Sequence, residues 1–152
     1  RRDGIDAEVT GIDPDPRAHA FATARPTRGV AFERATSSEL VAQERRFDVV
    51  LSNHLLHHLD DAALASIVED SEALADRLVL HADLERAVVP HVAFGIATRA
   101  LRRGSLLHDD GTASIRRSHR PDELRRLVPE PWRVERLFPY RLLLVLDRGR
   151  RA

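Results

Sequence analysis

Residues 47 to 51 read FDVVL, a run too apolar for a strand wetted on one face, which predicts a central strand of a parallel sheet, buried on both sides. It runs out into Ser52 and Asn53, and the next helix is expected to begin at Asp60 or Asp61. The same alternation extends along the chain. Ala7 to Ile12 (AEVTGI) is a short β-rich run ended by DPDP. With Asp15 as N-cap and Pro16 at the first helical position, a helix follows over 17–24, and Pro26 and Gly29 terminate it. Gly29 to Glu33 (GVAFE) is a second short strand, and Glu39 to Gln43 a helical turn. After Asp61, Leu64, Ile67, Val68 and Leu74 recur at helical period and lead into a buried strand over 77–82. PDELRRLV, opened by Pro121, is a short helix. WRVERLF, PY and RLLLVLD then read as two strands joined by a tight turn, an antiparallel hairpin.

Such alternation predicts right-handed βαβ units and an α/β fold with a mostly parallel sheet and helices on both faces. One segment departs from it. Residues 83–103 form a longer helical stretch interrupted by Pro90 and Gly95, and 105–119 a polar loop, so 83–119 is expected to be a lid, a substrate-covering segment or a packing helix. The 152 residues are one domain's worth of sequence, and a single domain over 1–152 is the expectation.

Composition narrows the partners. The 24 basic and 24 acidic residues balance, so neither nucleic acid nor an anionic membrane is the expected partner. Every Lys/Arg position is Arg, which fits high-GC coding and a bacterial origin. The absence of Cys removes disulfides and thiolate sites and fits a reducing cytoplasm. No apolar run approaches the roughly 20 residues of a membrane span. No Met occurs, even at position 1, and the opening RRDGIDAEVTGID enters a strand almost at once, so sequence N-terminal to Arg1 is expected.

An acidic residue ending an early strand, a strand of the form FDVVLSN followed by LHHL, and a closing hairpin together resemble class I S-adenosylmethionine-dependent methyltransferases. The resemblance is greatest to the small-molecule branch of ubiquinone and menaquinone biosynthesis, and it spans Glu8 to Asp147. It implies a Rossmann-like methyltransferase fold, S-adenosylmethionine as cofactor, and a small hydrophobic acceptor of aromatic, polyketide- or quinone-like kind. It also implies that Asp13 binds the cofactor's ribose hydroxyls, with Pro14 near the adenine. Thr36, with Ser37 beside it, takes the place where many relatives carry an Asp to the adenine amino group; simple capping chemistry explains the same residues. The family's first, central strand and its Gly-rich loop have no counterpart here. Their loss would split the sheet, and this chain alone is expected to bind S-adenosylmethionine weakly or not at all.

Three histidines crowd the stretch after FDVVLSN. On one helix, His54, His57 and His58 would share a side, and three ligands suffice for a catalytic zinc. The helix is expected to start after His58, so that spacing does not apply, and no metal is expected. Ser52 to His54 instead fall at the C-terminal end of a parallel strand, where open α/β sheets bind ligands. Asn53 and His54 are therefore placed near the cofactor's methionine end and the acceptor. His54 or His57 is the expected general base, and His58 is read as structural. His81 and Asp83, at the next strand's end, stand at the ligand-binding edge where both would line the pocket; they and His91, His108 and His119 are nevertheless read as structural or exposed. Two other readings stay open: a nicotinamide-dependent oxidoreductase, since Asp13 serves an NAD ribose equally well, and a non-catalytic remnant or partner-binding domain. The oligomeric state is also open, with a homodimer allowed.

Overall fold

A computed structural model describes residues 6–87 and 117–149. The chain divides into two compact units, 1–45 and 46–152. In the first, β1 (Val9–Ile12), α1 (Pro16–Thr23), β2 (Val30–Glu33) and α2 (Ser37–Ala42) follow in order. β1 and β2 pair in parallel, from Val9 opposite Val30 to Ile12 opposite Glu33, so α1 is the crossover of a βαβ unit. The start of α1 is set locally. Asp15 caps it by accepting from the Arg17 backbone N at 2.8 Å, and Pro16, which has no N–H to leave unsatisfied, occupies the first turn. Gly11 lets β2 approach closely, because a Cβ there would lie 3.0 Å from the Phe32 ring.

The second unit contains β3 (Phe47–Asn53), a 3-10 turn (Leu56–His58), α3 (Asp61–Leu74), β4 (Ala75–Leu84), α4 (Pro121–Leu127), β5 (Arg133–Leu137) and β6 (Arg141–Asp147). Its sheet has the order β3-β4-β6-β5. β3 and β4 are parallel, with Val50 opposite Val79 and Ser52 opposite His81, whereas β6 runs antiparallel to both β4 and β5. The α/β class, the parallel βαβ units and the closing hairpin agree with expectation.

β3 differs from the expectation of a strand covered on both faces. It is the end strand of its sheet among the described residues, and Val49 and Leu51 remain 45% and 71% exposed. The apolar run reports β-propensity along the strand, but its neighbours decide what is covered, and only Val50 packs against the core of this unit.

That core is built by period. Leu64, Val68 and Leu74 form one stripe of α3, Ala75 and Val79 the inward positions of β4, and Leu142, Leu144 and Leu146 those of β6. Leu124 and Trp132 close it. Each fully buried Leu stabilises the fold by roughly 2 kcal/mol. Asp60 caps α3 through the Ala63 backbone N at 2.8 Å, which fixes where the helix begins. No helix among the described residues is long and apolar enough to cross a membrane. Of the expected lid over 83–119, residues 88–116 lie outside the described residues, and His91 and His108 with them.

Candidate functional site

The C-terminal ends of the parallel pair β3 and β4 gather several polar side chains. Asn53, the last residue of β3, accepts on Oδ1 from Arg141 Nη2 at 2.7 Å, which ties it to the start of β6. His54 follows at φ +57°, a left-handed conformation uncommon for any residue other than glycine, and its backbone N donates to Ala82 O at 2.9 Å. The chain there turns sharply out of the sheet into the 3-10 turn. The helix was expected to start after His58, and it begins at Asp61; His57 lies in this separate turn, with its side chain only 3% exposed.

The Asp83 carboxylate receives His57. One oxygen accepts from the His57 backbone N at 2.8 Å, and the other from His57 Nδ1 at 2.6 Å and the Leu84 backbone N at 2.7 Å. On β4, Val79, His81 and Asp83 alternate onto the buried side, which is why an acid is brought inward here. A buried carboxylate with three donors is a satisfied one. With Nδ1 donating to it, the neutral imidazole presents Nε2 as an acceptor, and Nε2 has no partner among the described residues.

The His54 ring stands edge-on to His57 at 6.3 Å, and exposed His58 lies 4.0 Å from His57 between ring centroids. Partial desolvation, and next the adjoining His57, lower the His58 pKa. No metal was expected, yet the fold brings ligand-type atoms of His54, His57 and Asp83 within 4.8 Å of one another. Asp83 makes this grouping, from a different strand, and not the histidine spacing. Its oxygens already serve three protein donors, so an ion would have to compete with them.

A second buried histidine flanks the site. His81 Nδ1 lies 2.7 Å from Ser52 Oγ, and the ring stacks on Trp132 at 5.9 Å. Its Nε2 is the buried side-chain atom left without a hydrogen bond among the described residues. Burial pushes its pKa down from 6.5 to about 4, so the ring is neutral near pH 7. Beyond Asp83, a cavity of about 470 Å³ opens beside Glu85, Arg86, Arg120 and Arg136. Much of its lining is paired within itself, Arg136 with Glu85 at 2.7 Å and Arg125 with Asp122 at 2.6 Å, while Arg86 pairs with Glu123 outside it.

In the first unit, Asp13 is exposed at the end of β1. Its Oδ1 accepts from the Asp15 backbone N at 2.8 Å, while Asp15 caps α1, so the two acids divide turn and cap between them. Pro14 is exposed next to it. Thr36 is the N-cap of α2: Oγ1 accepts from Glu39 N at 3.2 Å, and Glu39 Oε2 accepts from Thr36 N at 2.7 Å. Ser37, half-buried, is the first residue of that helix.

Asp83 was placed at the ligand-binding edge from the sequence, but its pairing with His57 was not foreseen. Its one signal was an acid two places after His81, on the same strand parity.

A crossover-linked parallel pair in each unit, with polar residues collected where the strands end, defines an α/β protein of the Rossmann-like, ligand-binding kind. Residues 1–76, half of the chain, match the family model described as a methyltransferase domain, and the chain belongs to that family, the class I S-adenosylmethionine-dependent methyltransferases. Solved structures share the fold. A plantazolicin methyltransferase, BpumL, in complex with a triazolic desmethylPZN analog and SAH superposes with a TM-score of 0.68 at 12% identity, over 95% of this chain and 68% of that one. Magnesium protoporphyrin IX methyltransferase (ChlM) from Synechocystis PCC 6803 with bound SAH gives 0.61 at 16% identity, over 94% and 65%. The DhpI-SAM-HEP complex gives 0.62 at 17% identity, over 93% and 69%. No curated protein matches in sequence.

Proposed function

We propose that this protein transfers the methyl group of S-adenosylmethionine to a small hydrophobic acceptor of aromatic, polyketide- or quinone-like kind. The observation that carries the reading is the methyltransferase-domain match over residues 1–76, which ends just beyond α3 and so includes the polar end of β3. The chemistry of the residues fits the cofactor. Asp13 is exposed and has only Oδ1 bonded among the described residues, leaving an oxygen for a ribose diol. Pro14 offers an apolar surface beside it for the adenine. Thr36 Oγ1 donates to Glu39 and accepts from Glu39 N, so one lone pair remains for an adenine amino group, with Ser37 adjacent. Asn53 serves the methionine end, and His54 and His57 the acceptor.

S-adenosylmethionine supplies an activated methyl group, and the protein's part is to align the acceptor, exclude water and receive a proton. The test is a thermal-shift series on the protein expressed from its complete reading frame, with S-adenosylmethionine, S-adenosylhomocysteine and NAD. Ligand at about 100 times its Kd stabilises by about 2.7 kcal/mol, a shift of several degrees. Stabilisation by S-adenosylhomocysteine and not by NAD is the expected result; the reverse order assigns an oxidoreductase, and no response to any of them a non-catalytic domain.

A further inference from the structure

We infer that Asp83 is the positioning residue that makes His57 a general base, and that the acceptor accordingly carries a hydroxyl whose proton must leave during methyl transfer. This rests on the methyltransferase reading above and adds to it a residue and a substrate class.

The geometry separates this pair from an ordinary buried ion pair. Asp83 is anchored independently of the imidazole by two backbone donors, His57 N and Leu84 N. The carboxylate therefore keeps its orientation whatever happens at Nδ1. Its bond to Nδ1 fixes the tautomer and leaves Nε2 as the nitrogen that can take a proton. That nitrogen has no partner among the described residues, yet it is not a sealed, unsatisfied atom, as His81 Nε2 is. Among the described residues, the ionisable groups around the ring are Asp83 and the two neighbouring histidines, His54 and His58, with Arg117 near enough to act on His58. Of these, the Asp83 carboxylate is the one opposite in charge to an imidazolium.

A base of this kind has a use only where the nucleophile begins protonated. A carboxylate acceptor is already ionised at neutral pH, whereas a phenolic or enolic hydroxyl is not. As the acceptor oxygen forms its bond to the methyl carbon, the carbon–sulfur bond breaks with its electron pair remaining on sulfur. The hydroxyl proton passes to His57 Nε2, and the charge that appears on the ring is balanced by the Asp83 carboxylate.

The first readout needs no turnover. Histidine-selective ¹⁵N NMR of the ligand-free protein is expected to show His57 as the Nδ1–H tautomer, with an exchange-protected Nδ1 proton, and Asp83→Asn is expected to abolish that signature in a still-dispersed spectrum. The second uses two probes of matched size, 1-naphthol and 1-naphthoate, with S-adenosylmethionine. Naphthol is expected to be the methylated probe. Asp83→Asn and His57→Gln are expected to lower its kcat about 100-fold or more with KM little changed, and Asp83→Glu to recover part of the loss. A His57 Nε2–H tautomer, a kcat unchanged by Asp83→Asn, a preference for naphthoate, or turnover of neither probe while S-adenosylhomocysteine still binds overturns the inference. Failure of S-adenosylhomocysteine to bind the unsubstituted protein overturns the methyltransferase reading itself, so the two failures are distinct.

Discussion

The Asp83 carboxylate meets the His57 imidazole at 2.6 Å, with only 5% and 3% of the two side chains reaching solvent. It joins the turn after β3 to the end of β4 through two hydrogen bonds from His57, and a third from the Leu84 backbone N holds the carboxylate on its own strand. Truncation as Asp83→Ala leaves three donors without an acceptor, two of them backbone N–H groups. The expected cost is about 3 kcal/mol or more, measured by urea denaturation. A loss below about 1 kcal/mol would show that the turn finds other acceptors.

His81 makes stability depend on pH. The unfolded chain takes up this proton near 6.5, the folded one only near 4, so between those values the unfolded state holds more protons. Stability is therefore lost as pH falls from about 6.5 toward 4, by up to about 3 kcal/mol, and is indifferent to this group above that window. Carboxylates contribute their own acid dependence, so the informative measurement is the difference between the protein and His81→Phe in melts at pH 7 and pH 4.5. The substituted protein should lose less stability over that interval; parallel curves would place His81 in a wetter setting.

Asp13 separates binding from folding. Asp13→Asn keeps an oxygen for the Asp15 backbone N, so stability should stay within about 0.5 kcal/mol. Removing the charge and one acceptor should weaken S-adenosylhomocysteine binding about ten-fold or more, read by calorimetry on the product of the complete reading frame. Equal affinity would remove Asp13 from the proposed ribose contact.

Thr36 tests the opposite balance. Thr36→Ala breaks the capping box with Glu39 and should cost about 1 kcal/mol, while Thr36→Ser should cost a few tenths at most. Thermal melts resolve the two. If Thr36→Ser melts as low as Thr36→Ala, the methyl packing and not the hydroxyl is what matters.

Features decided within a few residues were legible in the sequence. Asp15 with Pro16, and Asp60 before an apolar period, announced their helices through local hydrogen-bond chemistry, and the two apolar runs around PY announced the hairpin. Features decided across the fold were not. FDVVL told of a strand and not of its neighbours, so the exposure of Leu51 was hidden. His57 was singled out, but its partner lies 26 residues away on another strand, and only the register of β4 shows that Asp83 faces inward. The histidine spacing suggested a question about metal for the wrong reason: the relevant third group is not a histidine.

The stacking of His81 on Trp132 has a practical use. The chain has a single tryptophan, so its intrinsic emission comes from one indole held against one imidazole. A protonated imidazole quenches indole emission more strongly than a neutral one. Fluorescence intensity then becomes an optical readout of the charge on His81 in the native protein, and of the moment at which unfolding separates the two rings.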